Sequence, residues 1–495
     1  IMRPIRFAST GHIIEGSGLF DGSSGFLSKT FGSTTAAQAR TFTLEFVFKL
    51  NTIAGTLNTD MVTLISCGNT ANDSDTTMVA LSHNFTGAAG NLDTIHFTHR
   101  TGAGSLLDSS LVGLFRDPAA FYHVVLQVDT TPATPTIKWW VNGTAFEPSI
   151  TNNVAQNTQF DLFQDTYAHR IGRPTNSTQG ANFSDMYLSR ITACTSATLT
   201  ATDFGEVTDD GFWQINDVSE LTFGNNGFLI EGGTDMAAGT DSSGNSNNFS
   251  KTGTITATND SPTNGGDDNE YGNKGSLSPL DFYGTGGTLT AQNTTSNYGS
   301  GTNDKGFVAS IIPTNPIYFE VKFTSTNATN NGAVALKKEN SIPGEAADDV
   351  RYMDGGSLRQ NASSSSYGSS FSANDIVMCA YDPSAGKAWF GLNGTWIASG
   401  NPATAANPSA TGLSSRLRPA SYHYGSGSVE VFRFRTDEFS YTPPVGFKEL
   451  STENQSTPDV INYQDEYYIL AGIGHTTGTT TDVHLPKTVS GGAMV

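Results

Sequence analysis

The stretch at 121–146, FYHVVLQVDTTPATPTIKWWVNGTAF, admits few folds. Val124, Leu126 and Val128 alternate with His123, Val125 and Gln127, a period of two that belongs to a strand with two distinct faces. Residues 129–135 are turn formers, and 137–141 is the return strand. Asn142-Gly143 then stands where a two-residue turn needs positive backbone dihedrals, which Gly adopts freely and Asn at small cost. The same grammar recurs at 375–396, DIVMCAYDPSAGKAWFGLNGTW, with Asp382-Pro383 opening the turn and Asn393-Gly394 closing the hairpin. Two sheet domains built on one plan are expected.

At 495 residues the chain exceeds what one core organises, so two or three domains are expected. Charged residues are only 15%, and Gly, Ser, Thr and Asn fill the gaps between short apolar runs. That composition is all-β with little helix; the best short helical candidate is 197–204, starting at Thr198 or Thr200. Lys and Arg number 26 against 46 Asp and Glu, a formal charge of −20. Such a surface repels phosphate backbones and anionic lipid, so neither nucleic acid nor membrane insertion is expected. No apolar run approaches membrane-spanning length, and residues 1–7 do not make a signal-peptide core. Cys67, Cys194 and Cys379 lie far apart in or beside apolar runs, which reads as buried free thiols and a reducing compartment. Asn-x-Ser/Thr triplets such as those at Asn142, Asn248 and Asn393 follow from the abundance of these residues. Ile1 precedes Met2 and the sequence stops just after a turn, so further chain is expected beyond Val495.

Along the chain, 42–50 places Phe42, Leu44, Phe46, Phe48 and Leu50 on one face, and 183–192 alternates Met186, Leu188 and Arg190 with Tyr187, Ser189 and Ile191. GFLIE at 227–231 is expected to pair with the opening strand. Residues 235–276 read as a Gly/Ser/Asn/Thr-rich connector with one short strand at 252–258. IYFEVKF at 317–323 is expected to be the central strand of the second domain. The fold class is therefore all-β: two antiparallel β-sandwich (jelly-roll) domains in series at 1–234 and 277–450, then a short β-rich segment at 451–495.

The order GLFDGSSGFLSK (18–29), TFTLEFVFKL (41–50), FRDPAAFYHVVLQVD (115–129), IKWWVNG (137–143), AHRIGRP (168–174), FSDMYLSRI (183–191) and NGFLIEG (226–232) resembles the concanavalin A-like, laminin-G-like jelly-roll module. TDSSGNSNNFSKTGTITATNDSPTN (240–264) and LSPLDFYGTGGTLT (277–290) make it similar to versions in structural proteins of marine tailed bacteriophages. IYFEVKF, the 374–396 hairpin, LRPASYHYGSGSVEVFRF (417–434) and FSYTPPVGFKEL (439–450) are similar to a SPRY domain. The resemblance implies a virion structural protein, assembled in the bacterial host cytoplasm and held by other virion proteins. As a fibre or appendage adhesin it would bind a host surface glycan. The homotrimer is usual for such fibres, although no heptad or collagen-like stem is present. Two alternatives stand beside this: an architectural capsid or tail decoration, and a polysaccharide depolymerase.

Glycosidic cleavage needs two carboxyls about 5 to 10 Å apart, which one strand can present as alternate acidic residues. Glu45, Glu231 and Glu320 each stand alone and are expected to point outward. His83, His96, His99, His123 and His169 have no metal-ligand spacing, and His123 is expected to pack structurally. No phosphate loop or nucleophile elbow is present. No catalytic residue, metal ligand or cofactor is therefore assigned. The acidic turns at 72–75, 209–210, 267–270 and 348–349 read as solvated, with calcium at a sandwich rim left open. Sugar binding calls for exposed rings beside planar polar groups, and the candidates are Trp139, Trp140, Tyr352, Tyr367, Trp396, Tyr422 and Tyr424, with Arg351 and Asp354 near Tyr352.

Overall fold

Phe42, Leu44, Phe46, Phe48 and Leu50 all enter one core, as a period of two along a strand requires. The computed structural model describes residues 11–51, 61–69, 75–81, 94–101, 105–115, 117–175, 182–208, 211–265, 270–284, 286–298, 304–325, 332–338, 342–424 and 428–455. Within them the chain is all-β, with two antiparallel sandwiches around separate apolar cores. The acidic turns at 209–210, most of those at 72–75 and 267–270, His83, and 456–495 lie outside the described residues.

The first sandwich contains β1 (Ser17–Asp21), β2 (Phe26–Lys29), β3 (Thr41–Leu50), β4 (Val62–Gly68), β5 (Asp75–Leu81), β6 (Ile95–Thr101), β7 (Ser105–Leu111), β8 (Phe121–Asp129), β9 (Thr136–Val141), β10 (Thr144–Phe146), β11 (Ser149–Thr151), β12 (His169–Ile171) and β13 (Asp185–Thr195). One sheet runs β10-β9-β8-β3-β13-β1 and the facing sheet β11-β7-β6-β5-β4-β12-β2. The second contains β14 (Thr295–Tyr298), β15 (Asp304–Ala309), β16 (Ile317–Ser325), β17 (Gly332–Lys337), β18 (Val350–Met353), β19 (Ser357–Gln360), β20 (Ser363–Ser366), β21 (Ile376–Asp382), β22 (Lys387–Leu392), β23 (Thr395–Trp396), β24 (Ala410–Thr411), β25 (Arg418–Tyr424) and β26 (Val429–Arg433). Its sheets run β23-β22-β21-β16-β26-β14 and β20-β19-β18-β17-β25-β15, the same order strand for strand. β11 and β24 differ in place, the first pairing β7 and the second β22, and the second sandwich's sheets are extended by Gly287–Thr290 beside β14 and Leu277–Tyr283 beside β15.

The matching hairpins are closed as their sequences require. Asn142 and Gly143 have φ of 47° and 70°, Asn393 and Gly394 of 49° and 85°. In both, the Asn side chain accepts a backbone N–H from the far strand, of His123 and of Ile376, each at 2.9 Å.

Three segments differ from expectation. Phe228–Glu231 pairs with β13, because the place beside β1 is taken by Thr256–Thr258. The stretch expected to hold one strand at 252–258 forms two, Ser250–Thr252 on β2 and Thr256–Thr258 on β1, and Phe249 and Ile255 between and beside them enter the first core. A bulge between Leu188 and Arg190 breaks the alternation of β13, so Ile191 joins Leu188 in the core and Arg190 turns to the opposite face.

The outer face of each first sheet is covered by chain that follows the last strand. Ala201, Phe204, Trp213, Ile215, Val218 and Phe223 lie over β3, β8 and β13, and Phe439, Tyr441 and Phe447 lie over β16, β21 and β22. The expected helix at 197–204 is one 3-10 turn, Ala201–Asp203. Cys67, Cys194 and Cys379 are free and buried.

The sandwiches meet through a polar joint. Lys49 of β3 pairs with Asp260, donates to Asn273 Oδ1 at 2.9 Å and lies 4.8 Å from the Tyr187 ring. Lys274 pairs with Glu449, and Arg435 donates to the Tyr187 hydroxyl at 3.2 Å.

Candidate functional site

Carboxylates on the covered faces bear first on catalysis. Glu45 sits opposite Val125 and Thr192, and Glu320 opposite Met378 and Arg433, so the two occupy the same place in the two sandwiches. Both are fully buried, a correction to their expected outward pose, because the covering segments seal the face they stand on. Glu45 accepts from Arg190 Nε at 2.9 Å, Thr192 Oγ1 at 2.6 Å and His123 Nε2 at 2.9 Å. Trp213 Nε1 donates to His123 Nδ1 at 2.7 Å, which leaves the proton of a neutral imidazole on Nε2. Burial alone would raise the Glu45 carboxyl, but Arg190 and the His123 hydrogen bond hold it down at about 2. Glu320 accepts from Arg433 at 3.1 Å and from the N–H groups of Ser440 and Tyr441, both at 2.8 Å. Each carboxylate ties down its covering segment and has no open side for a substrate. Glu231 also pairs with Arg190, at 3.0 Å.

The outer side of the other sheet of the second sandwich is packed, with Val308, Ala335 and Ala420 against Tyr283, and Tyr422 and Arg351 buried, but it meets solvent at Tyr424. Along β25, Ser421 and His423 point inward to Tyr298, while Tyr422 and Tyr424 take the outer side. The Arg351 guanidinium, from β18, lies 3.8 Å from the centre of the Tyr422 ring. Arg359 on β19 is the cross-strand neighbour of Arg351, and Glu345 bridges both, at 3.1 Å from Arg351 Nη2 and 2.8 Å from Arg359 Nε. These hydrogen bonds, Arg359 first, hold the Glu345 carboxyl below its usual range. The Tyr422 hydroxyl donates to Asp304 at 2.5 Å, and burial keeps that phenol protonated far above neutral pH. Asp304 pairs across the ladder with Tyr424, which is 44% exposed. An accessible ring therefore sits beside a carboxylate and a row of planar polar groups whose orientations are already fixed. This array can stack on an apolar sugar face and reach its hydroxyls.

The sequence-named residues divide sharply. Arg351, Tyr422 and Tyr424 come together here. Asp354 lies at the same end, buried, and accepts the Gly332 N–H at 3.1 Å. Tyr352 is in the core, its hydroxyl bound to the Ser369 carbonyl, and Tyr367 packs against it with its hydroxyl on Ser409. Trp396 is half-buried against Tyr318. Trp139 is 1% exposed with Nε1 on Ser109 at 3.0 Å, and Trp140 packs under the first covering segment. Trp139 and Tyr352, enclosed in the cores, offer no face to a ligand, which corrects their assignment, while Trp140, Tyr367 and Trp396 are partly exposed but stand apart from the Tyr424 cluster. Glu345, Arg359 and Asp304 went unread because their register beside Arg351 and Tyr424 depends on strand pairing. For Arg359 and Asp304 the one sequence signal was the polar character of alternate strand positions, and Glu345, in the turn before β18, gave none.

Inside the same end, Glu430 is fully buried, and burial pushes its carboxyl well above its usual range. A separate cleft of about 550 Å3 lies at the joint, lined by Lys274, Arg435, Phe447 and Glu449. Among the described residues no cluster of three His, Cys, Asp or Glu is placed to hold a metal ion, and no helix is long and apolar enough to cross a membrane.

No protein-family model matches the chain, and no curated protein does. Among solved structures it is similar to a human SPRY domain, with 22% identity over 30% of this chain and 97% of that one and a TM-score of 0.25. The SPRY domain of human HERC1 gives 18% identity over 32% and 96%, TM-score 0.27. The CBM40 of a Ruminococcus gnavus IT-sialidase gives 14% over 39% and 95%, TM-score 0.28. The strand pairings themselves define the fold.

Proposed function

We propose that the protein is a non-enzymatic carbohydrate-binding protein, and that Tyr424, Tyr422, Asp304, Arg351, Glu345 and Arg359 form its sugar-binding face. One observation carries the reading: an exposed ring, Tyr424, stands beside fixed planar hydrogen-bonding groups at one end of the sheet. The resemblance of the 240–264 linker to those of phage structural proteins supports, in our reading, a virion appendage that meets host surface glycans. Screening the full chain against immobilised glycans tests it. The expected result is selective binding that Tyr424→Ala abolishes without lowering the melting temperature; no binding to any glycan, or equal binding by the variant, counts against it.

A second reading, an architectural spacer in the particle, draws support from the buried joint that couples the sandwiches. Antibody labelling of assembled particles separates the two, since a glycan reader must be exposed at a tip or rim.

A further inference from the structure

Lys49 of β3 ends at the joint between a carboxylate and a side-chain amide. Its Nζ is ion-paired with Asp260 and donates to Asn273 Oδ1 at 2.9 Å, and all three side chains are buried. The Asn273 amide is held in one orientation, since its Nδ2 donates to the Ala119 carbonyl at 2.7 Å and its backbone N–H to Thr452 Oγ1 at 2.9 Å. Asp260 is fixed as well, its other oxygen accepting the Lys274 N–H at 3.2 Å. The rings of Phe121 and Tyr187 lie 5.0 and 4.8 Å from Nζ. Lys274, at the same joint, meets Glu449 and the Glu270 backbone carbonyl instead, so its amine faces no side-chain amide.

An amine, a carboxylate and a carboxamide in contact and away from water are the reactants for an amide bond. Burial draws the Lys49 ammonium below its usual range, against the opposing charge of Asp260, so its proton is given up more readily than that of a surface lysine. An amine immobilised beside an amide carbonyl reacts as if at very high concentration, and a neighbouring carboxylate can move the protons. A void of about 10 Å3 lined by Lys49, Asp260 and Tyr187 is the size of the one small molecule that must leave.

We infer that Lys49 and Asn273 join in an isopeptide bond, with Asp260 as the acid–base group. Asp260 takes a proton from the Lys49 ammonium, and the freed amine attacks Asn273 Cγ. The Nζ–Cγ bond forms and the Cγ–Nδ2 bond breaks. Asp260 relays protons from Nζ to Nδ2, which leaves as ammonium; the carboxylate is restored, and nothing is oxidised or reduced. Escape of ammonium to solvent makes the step one-way. The bond ties β3, in the middle of its sheet, to the residue that leads into Lys274 and holds Thr452 past the second sandwich. Load between the sandwiches then bypasses residues 50–272. The inference stands independently of the sugar-binding reading.

The test weighs the full wild-type chain, denatured after folding, by mass spectrometry. It should be lighter than its sequence by one ammonia, and proteolysis should release a branched peptide carrying Lys49 and Asn273. Lys49→Arg, which keeps the charge beside Asp260, should have its full sequence mass. Asp260→Ala should leave residues 49 and 273 in separate peptides. Asp260→Glu, which keeps a carboxylate, is the second variant should that one fail to fold, and should give the branched peptide in lower yield. A wild-type chain of full mass overturns the inference. So does an ammonia loss with 49 and 273 in separate peptides, as from a succinimide at an Asn-Gly pair. A water loss that joins Lys49 to Asp260 instead, or a branched peptide whose yield Asp260→Ala leaves unchanged, overturns it too.

Discussion

Glu45 shows how one side chain is read differently alone and in the fold. In sequence it is an acidic residue on an amphipathic strand, and a solvent-facing pose follows from periodicity. In the structure Arg190, Thr192 and His123 saturate it under Trp213. Glu45→Gln should therefore destabilise the first sandwich by about 2–4 kcal/mol in urea unfolding, because it removes the fully buried one of the two carboxylates that pair with Arg190. Two buried groups with large shifts, His169 and Glu45, contribute to the acid limb of stability. His169 is buried and held down at about 3 from its ordinary 6.5, so it stays neutral when folded while the unfolded chain takes up a proton. Its contribution is complete above pH 6.5 and is lost as pH falls toward 3. Glu45, held at about 2 against 4.5, adds a contribution present above pH 4.5 and lost as pH falls toward 2. Because Glu430, raised by burial, gains stability over the same window, the His169 part is isolated by difference: the gap in urea midpoint between wild type and His169→Phe should shrink as pH falls from 6.5 toward 3, and a gap that does not change with pH would contradict the buried neutral His169.

At the scale of elements, the hairpins were legible and the covering segments were not. Asn142-Gly143 and Asn393-Gly394 announce their turns by residue type, whereas 197–223 has no repeating period and is held by separate anchors such as Phe204 and Trp213. The two features are nevertheless joined. A Cβ added at Gly143 would lie 2.1 Å from the Trp213 ring, and one added at Gly394 would lie 2.7 Å from the Tyr441 ring. Each hairpin glycine is the floor on which a covering aromatic rests. Gly143→Ala is expected to cost about 1–3 kcal/mol through overpacking and the positive φ together. Loss of Trp213 fluorescence protection against acrylamide would report the lifted segment. The bulge in β13 was hidden for a related reason: an extra residue is invisible to a period-two reading, and it moved Arg190 across the sheet.

At the scale of the molecule, the duplicated plan was visible in the two hairpins, but the joint was not. Lys49 and Asp260 are 211 positions apart, and nothing local marks them as partners. Likewise, Arg351, Tyr422 and Tyr424 were recognised by type, while Trp139 and Tyr352, of the same type, went to the cores because burial is decided by strand facing. With Lys49 paired and buried, the sandwiches should unfold together in calorimetry, and Lys49→Ala should split the transition in two by leaving Asp260 buried alone. A single unsplit transition in the variant would show that the joint does not couple them.

The account stands on the Tyr424 end of this sheet of the second sandwich being where a sugar docks. The amide chemical-shift footprint of a glycan found to bind addresses this directly. Perturbations should concentrate on β15, β18, β19 and β25, around Asp304, Arg351, Arg359 and Tyr424. A footprint confined to 436–447, or one that leaves β25 unmoved, would contradict it.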